Sequence, residues 1–135
     1  MNIRACVILC VLVTMTCTVT AHAGDTGWVG VWQGRLNGQP SVILTLAEDN
    51  GTLEGTLVLN IVSRDGGLAH IVAHEPHVLM HPQANRSSLS FRLKRIDGSN
   101  DLMDFTVILS DSSSGSIHCS NCGSEAPTVA MTKQD

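Results

Sequence analysis

Four histidines stand close together, His70, His74, His77 and His81, and two cysteines lie near the end of the chain as Cys119-Ser-Asn-Cys122. Imidazole and thiolate are the groups that hold zinc and its neighbours among the transition metals. On an α-helix, offsets of 4, 7 and 11 from His70 would gather all four histidines within an arc of about 60°. Pro76 stands in the middle of that stretch, at a cost of about 3 kcal/mol or more to a helix. Glu75 and His81 each precede a proline, which turns them away from helical angles. A hairpin turning at Glu75-Pro76 is the better account. It sets His74 opposite His77, Val72 opposite Leu79 and His70 opposite His81 on one face, and leaves Ile71, Ala73, Val78 and Met80 for the core. Each opposed pair, with β-carbons ~4.5–5.5 Å apart, could share a metal. The two pairs, ~13 Å apart along the strands, cannot form one four-ligand site. The expectation is an exposed polar face, with weak binding of zinc or another transition metal as the alternative and no resident cofactor.

The sequence holds no Gly-x-Ser-x-Gly and no His-Glu-x-x-His, the patterns that place a serine nucleophile or a zinc-bound water. Asp101 and Asp104 read as solvated acids. No catalytic residue is assigned, and the chain is expected not to be an enzyme. Cys119 and Cys122 are expected to be bridged, metal ligation and redox chemistry being the alternatives, because no βαβ unit surrounds them.

The elements that position these residues alternate with period two. Trp28, Gly30, Trp32, Gly34 and Leu36 share a face, as do Val42, Leu44 and Leu46, and Leu53, Gly55, Leu57 and Leu59. Leu89, Phe91 and Leu93, then Phe105, Val107 and Leu109, then Val129 and Met131 repeat the pattern. Leu68–Ala73, His77–Met80 and Ser116–Cys119 are weaker strands. Turn residues separate the runs, among them Asn37-Gly38, Asn50-Gly51 and Asp65-Gly66-Gly67, and Asn-Gly is a strong hairpin signal. About nine short strands with one face apolar predict an all-β fold, a small antiparallel up-and-down β-barrel, with a β-sandwich as the alternative.

Ahead of these strands, Arg4 supplies a positive start, Ala5 to Thr20 an apolar run, and Ala21-His22-Ala23 a small-x-small site. That is the pattern of a cleaved export signal over residues 1–23. Residues 24–135 then form a single domain, periplasmic or extracellular, with no membrane anchor left after cleavage. The apolar run falls short of the ~18 residues a spanning helix needs. Lipidation is disfavoured, since Leu9 and Thr16 precede Cys10 and Cys17, and Cys6 lies at the very start of the apolar run rather than after it. The formal net charge is −4, and more negative once Arg4 leaves. This excludes the electrostatic footprint of a nucleic-acid or anionic-lipid binder. With no Tyr, two Phe and two Trp, stacking platforms for bases or sugars are not expected either.

Gly30-Val31-Trp32 at the start of the first strand matches the Gly-x-Trp signature of lipocalin-like (calycin) barrels. With Gly34-x-Leu36 and Gly51-x-Leu53-x-Gly55-x-Leu57 it resembles short exported bacterial proteins of that fold whose function is uncharacterised. The resemblance runs from about Gly30 to Phe91. It implies that Trp32 closes the barrel base, with Lys133, the one basic residue after Arg95, where the family packs an arginine. The fold implies a binding module for a small apolar ligand. A protein-binding or inhibitor-type barrel acting through the loops Asp97–Asp101 and Asp111–Gly115 is the alternative, and metal binding by the His-rich hairpin is the third reading.

Overall fold

In a computed structural model, the structure describes residues 27–95, 97 and 99–135. The expected export signal and its cleavage site lie outside them. The described chain is all-β, and nine strands form one antiparallel sheet rather than the two of a sandwich. They are β1 (Gly30–Leu36), β2 (Gln39–Asp49), β3 (Thr52–Asp65), β4 (Leu68–Val78), β5 (Met80–Ala84), β6 (Ser88–Lys94), β7 (Leu102–Leu109), β8 (Ser114–Cys119) and β9 (Val129–Lys133).

The turns follow from the residues placed in them. Leu36 pairs with Gln39 and Asp49 with Thr52, so each hairpin closes over an Asn-Gly dipeptide. Asn37 and Gly38, and Asn50 and Gly51, all take positive φ, the conformation a two-residue primed turn demands. Gly66-Gly67 does the same between β3 and β4.

The strand order is β4-β3-β2-β1-β9-β8-β7-β6-β5. The first strand therefore pairs with the last, and the sheet's two outermost strands, β4 and β5, are consecutive in the chain with only Leu79 between them. The sheet must curl for this to happen, and it forms a half-barrel. At the corner, Leu79 N–H donates to Gly55 O at 3.0 Å.

The concave face holds the core: Trp28, Trp32, Leu44, Leu46, Leu57, Leu89, Phe91, Leu93, Val107 and Met131 among others. At one end of the curl Trp28 and Trp32 pack together, ring centroids 6.0 Å apart. Trp32 Nε1 donates to Trp28 O at 2.9 Å, and Trp28 Nε1 donates to Asn85 O at 2.7 Å. Lys133 Nζ lies 5.6 Å from the centre of the Trp32 ring and donates to Gly27 O. The base is thus plugged by two indoles whose N–H groups are both satisfied.

Cys119 and Cys122 are bridged, Cα–Cα 5.5 Å. Cys119 is buried in the core cluster, opposite Phe105 in the β7–β8 register. So short a loop makes the bridge worth about 2 kcal/mol at most. A serine at 119 would in addition bury a hydroxyl, costing about 1–3 kcal/mol if it finds no partner. Thermal melts should therefore rank wild type above Cys119→Ala/Cys122→Ala, and that above Cys119→Ser/Cys122→Ser. Equal melting of the two double variants would show that position 119 is not in the core.

Candidate functional site

The histidine hairpin does not form. β4 runs without a turn from Leu68 to Val78, and Val58 pairs with Pro76. The physical reason is that β4 lies at the edge of the sheet, where a proline's missing N–H costs no ladder bond. The break falls three residues later, at Leu79. This corrects the expected faces. Leu79 and His77 point inward and are buried, whereas Val78, expected in the core, is 73% exposed.

The four histidines are accordingly not brought together. His70 and His74 are exposed, and His74 Nδ1 meets Asn60 Oδ1 at 2.6 Å. His81 is exposed on β5 beyond the corner and takes φ 50°. His77 alone faces the interior. His74 does not oppose His77, nor His70 His81, so the shared-metal pairs are absent. Among the described residues no three of His, Cys, Asp and Glu could hold a metal ion.

What the fold does assemble is a cleft at the end opposite the indole plug. Leu59 of β3, Glu75 and His77 of β4, Arg95 and Asp97 in the segment after β6, and Met103 of β7 line an open space of about 440 Å³. His77 is the one polar residue among the buried described residues, 8% exposed. Its Nδ1 lies 3.1 Å from Lys94 O. A carbonyl oxygen can only accept, so Nδ1 carries the proton and, in the neutral ring, Nε2 is left as an acceptor. Nε2 is buried and has no hydrogen-bond partner among the described residues. Buried polar atoms are otherwise almost always paired, so an orphan at a cleft is a functional pointer.

The charges around it are arranged asymmetrically. The Ser99 hydroxyl lies close to Asp97, though outside full hydrogen-bond geometry, and the Ser99 amide donates to Oδ1 at 3.0 Å. Together they hold the Asp97 carboxyl below the usual carboxylate range, and the Arg95 guanidinium, 4.0 Å away, adds to this. Glu75 has no ion-pair partner among the described residues. The cleft therefore presents an acceptor nitrogen, a free carboxylate and two apolar walls, Leu59 and Met103.

The loops expected to reach a partner use their acids locally. Asp111 Oδ1 accepts from the Ser113 amide at 2.8 Å and its hydroxyl at 3.2 Å. Hydrogen bonds of that kind lower the Asp111 pKa and close the turn rather than project a charge. A turn at the proline hides His77 as an interior group, whereas the strand continues through Pro76. Its signal is the inward alternation Ile71, Ala73, Glu75, His77, Leu79, which continues unbroken through Pro76.

Comparison with models of known protein families, with curated proteins and with solved structures gave no match, so the function must be argued from this cleft itself.

Proposed function

We propose that the chain is an exported, non-enzymatic binding module on a lipocalin-like barrel, and that it takes a small amphipathic ligand at the open mouth. The pairing of β1 with β9 and the corner at Leu79 support a barrel. The Trp28–Trp32 plug beneath Lys133 supports the lipocalin-like resemblance. The base and interior are filled by apolar side chains, so the purely apolar guest held deep inside gives way to one bound at the rim. The observation that carries the reading is His77, a buried acceptor in a cleft wall without a partner among the described residues. An acceptor asks for a hydroxyl or ammonium donor. The free Glu75 carboxylate favours ammonium over carboxylate, and Leu59 and Met103 suit an alkyl body. Since Nε2 is shut from solvent, the ligand reaches it only as a lining side chain turns aside, a change common at binding surfaces.

The test is a two-dimensional amide NMR titration of residues 24–135 with octylamine, octanol and octanoate, which share an alkyl chain and differ in head group. Shifts should cluster at Leu59, Glu75, His77 and Met103, strongest for octylamine and weakest for octanoate. His77→Leu should reduce the octylamine response at least about tenfold, equivalent to ~1.4 kcal/mol. The same substitution removes an unsatisfied buried atom but also the Nδ1–H that donates to Lys94 O, so the two effects offset and its melting temperature should stay close to that of wild type. Octanoate binding best, or shifts scattered away from the cleft, would overturn the reading.

A further inference from the structure

The outer surface of the curled sheet is divided by charge. On β6 and β7 the outward positions carry Arg92, Lys94 and Asp104, and Arg92 Nε pairs with Asp104 Oδ1 at 2.9 Å. On β1–β4 the registers line up two cross-strand rows on the outward face, Val31, Thr45, Thr56, Val78 and Gln33, Ile43, Val58, Pro76. Neither row contains a charged residue. Glu54 and Arg35 stand outside them, at the margins.

Two further observations set this face apart. β2 and β3 read Val42-Ile43-Leu44 and Leu57-Val58-Leu59, apolar on both faces, as strands covered on both sides do. One-sided strands alternate with polar residues, as β6 does with Ser88, Ser90, Arg92 and Lys94. Continuous with the first row, Thr45, Thr56, Val78, Leu79 and Pro82, with Glu54 at the margin, line a mainly apolar groove of about 580 Å³ where the chain turns from β4 to β5.

We infer that this face is the interface between two copies of the chain, packed sheet on sheet about a twofold axis. The occupant follows from charge. The protein is net negative, formally −4, so two copies repel unless they meet where neither carries charge, and these rows are such a place. A foreign partner is ordinarily selected by complementary charges, and the face offers none. Pleated rows of Val, Ile and Thr are also self-complementary, since aligned sheets interdigitate such side chains across about 10 Å. With strands ~4.8 Å apart and rows ~6.7 Å apart, four strands and two rows cover about 260 Å². That is the core of an interface, roughly a third of the ~800 Å² each partner contributes to one of standard size, the rest being polar rim.

Sedimentation equilibrium of residues 24–135 at about 100 µM, well above the micromolar range of modest protein complexes, tests this. Wild type should have twice the mass of the chain. Val78→Glu and Thr56→Lys, both at exposed positions, should have the monomer mass with unchanged circular dichroism and melting. Ile108→Glu, which charges an exposed apolar residue on the opposite half of the sheet, should stay dimeric. A monomeric wild type, a dimer that survives both charged variants, or one dissolved by Ile108→Glu would each overturn the inference. The mouth cleft is not part of this face, so the outcome is independent of ligand binding.

Discussion

Trp32→Ala should remove about 3–5 kcal/mol of stability, the usual loss for truncating a buried tryptophan. Four contributions place it at the upper end of that range. The side chain is fully buried, 0% exposed, so the whole ring leaves a cavity. Its Nε1–H is the partner of Trp28 O, and both lie in the plugged base, so deletion leaves a carbonyl without its donor. Trp28, tilted at 46° against it, loses an aromatic neighbour, and Lys133 loses the ring beneath its ammonium. A domain of this size has about 5–15 kcal/mol in total, so the variant should be marginal at best, with a melting temperature lowered by roughly 15–30 °C. Trp32→Phe should fall between, since it keeps part of the ring and loses the N–H. Lys133→Ala should cost least, about 0.5–1 kcal/mol for an exposed cation over a ring. Denaturant melts of the three variants decide the matter. A loss below about 1 kcal/mol for Trp32→Ala would mean the indole does not plug the base.

Much of the fold was legible because two local signals agreed. Alternation located the strands, and the dipeptides Asn37-Gly38, Asn50-Gly51 and Gly66-Gly67 located the turns through a backbone requirement that few other residues meet. Around Pro76 the two signals conflict, and there the alternation prevails over the turn signal. Proline ends a central strand but not an edge strand, and whether a strand is an edge depends on pairings distant in sequence. β4 is an edge because it does not pair with β5, the next strand in the chain, the sheet being joined through β1 and β9 instead, and no local pattern of residues 68–84 encodes that. One consequence was the inverted reading of His77, Val78 and Leu79. The other was that the site went unseen. Leu59, Glu75, Met103, Arg95 and Asp97 meet only once the sheet curls, and none belongs to a motif. Gly30 and Trp32, by contrast, lie in one strand with Trp28 just before it, and their packing was open to a reading from sequence.

Gly55→Ala is the second substitution expected to be severe, and its sign has to be argued because two effects oppose. Inside a strand, replacing glycine by alanine ordinarily helps by about 0.5–1 kcal/mol, since the unfolded chain has less freedom to lose. At Gly55 an added Cβ would meet the Thr45 carbonyl oxygen, and the Leu46 side chain at 2.9 Å. The first of these is backbone, held in the β2–β3 ladder by Gly55's own pairing with Leu46 and that of Thr45 with Thr56. It cannot rotate aside. Relief requires β2 and β3 to part where Gly55 O also accepts from Leu79, the bond that fixes the corner between β4 and β5. Overpacking of this kind costs about 1–3 kcal/mol or more, which outweighs the entropic gain. Gly38→Ala is the control, since a Cβ there meets nothing and only the positive φ of 78° opposes it. Gly55→Ala should therefore be the more destabilising of the two in denaturant melts. It should also raise amide exchange at Leu79, because the corner hydrogen bond opens with the ladder, and it should blunt the mouth titration, because the corner sets where β4 presents His77. Equal melting of the two variants with Leu79 exchange unchanged would show that the close approach of β2 to Gly55 does not hold the corner.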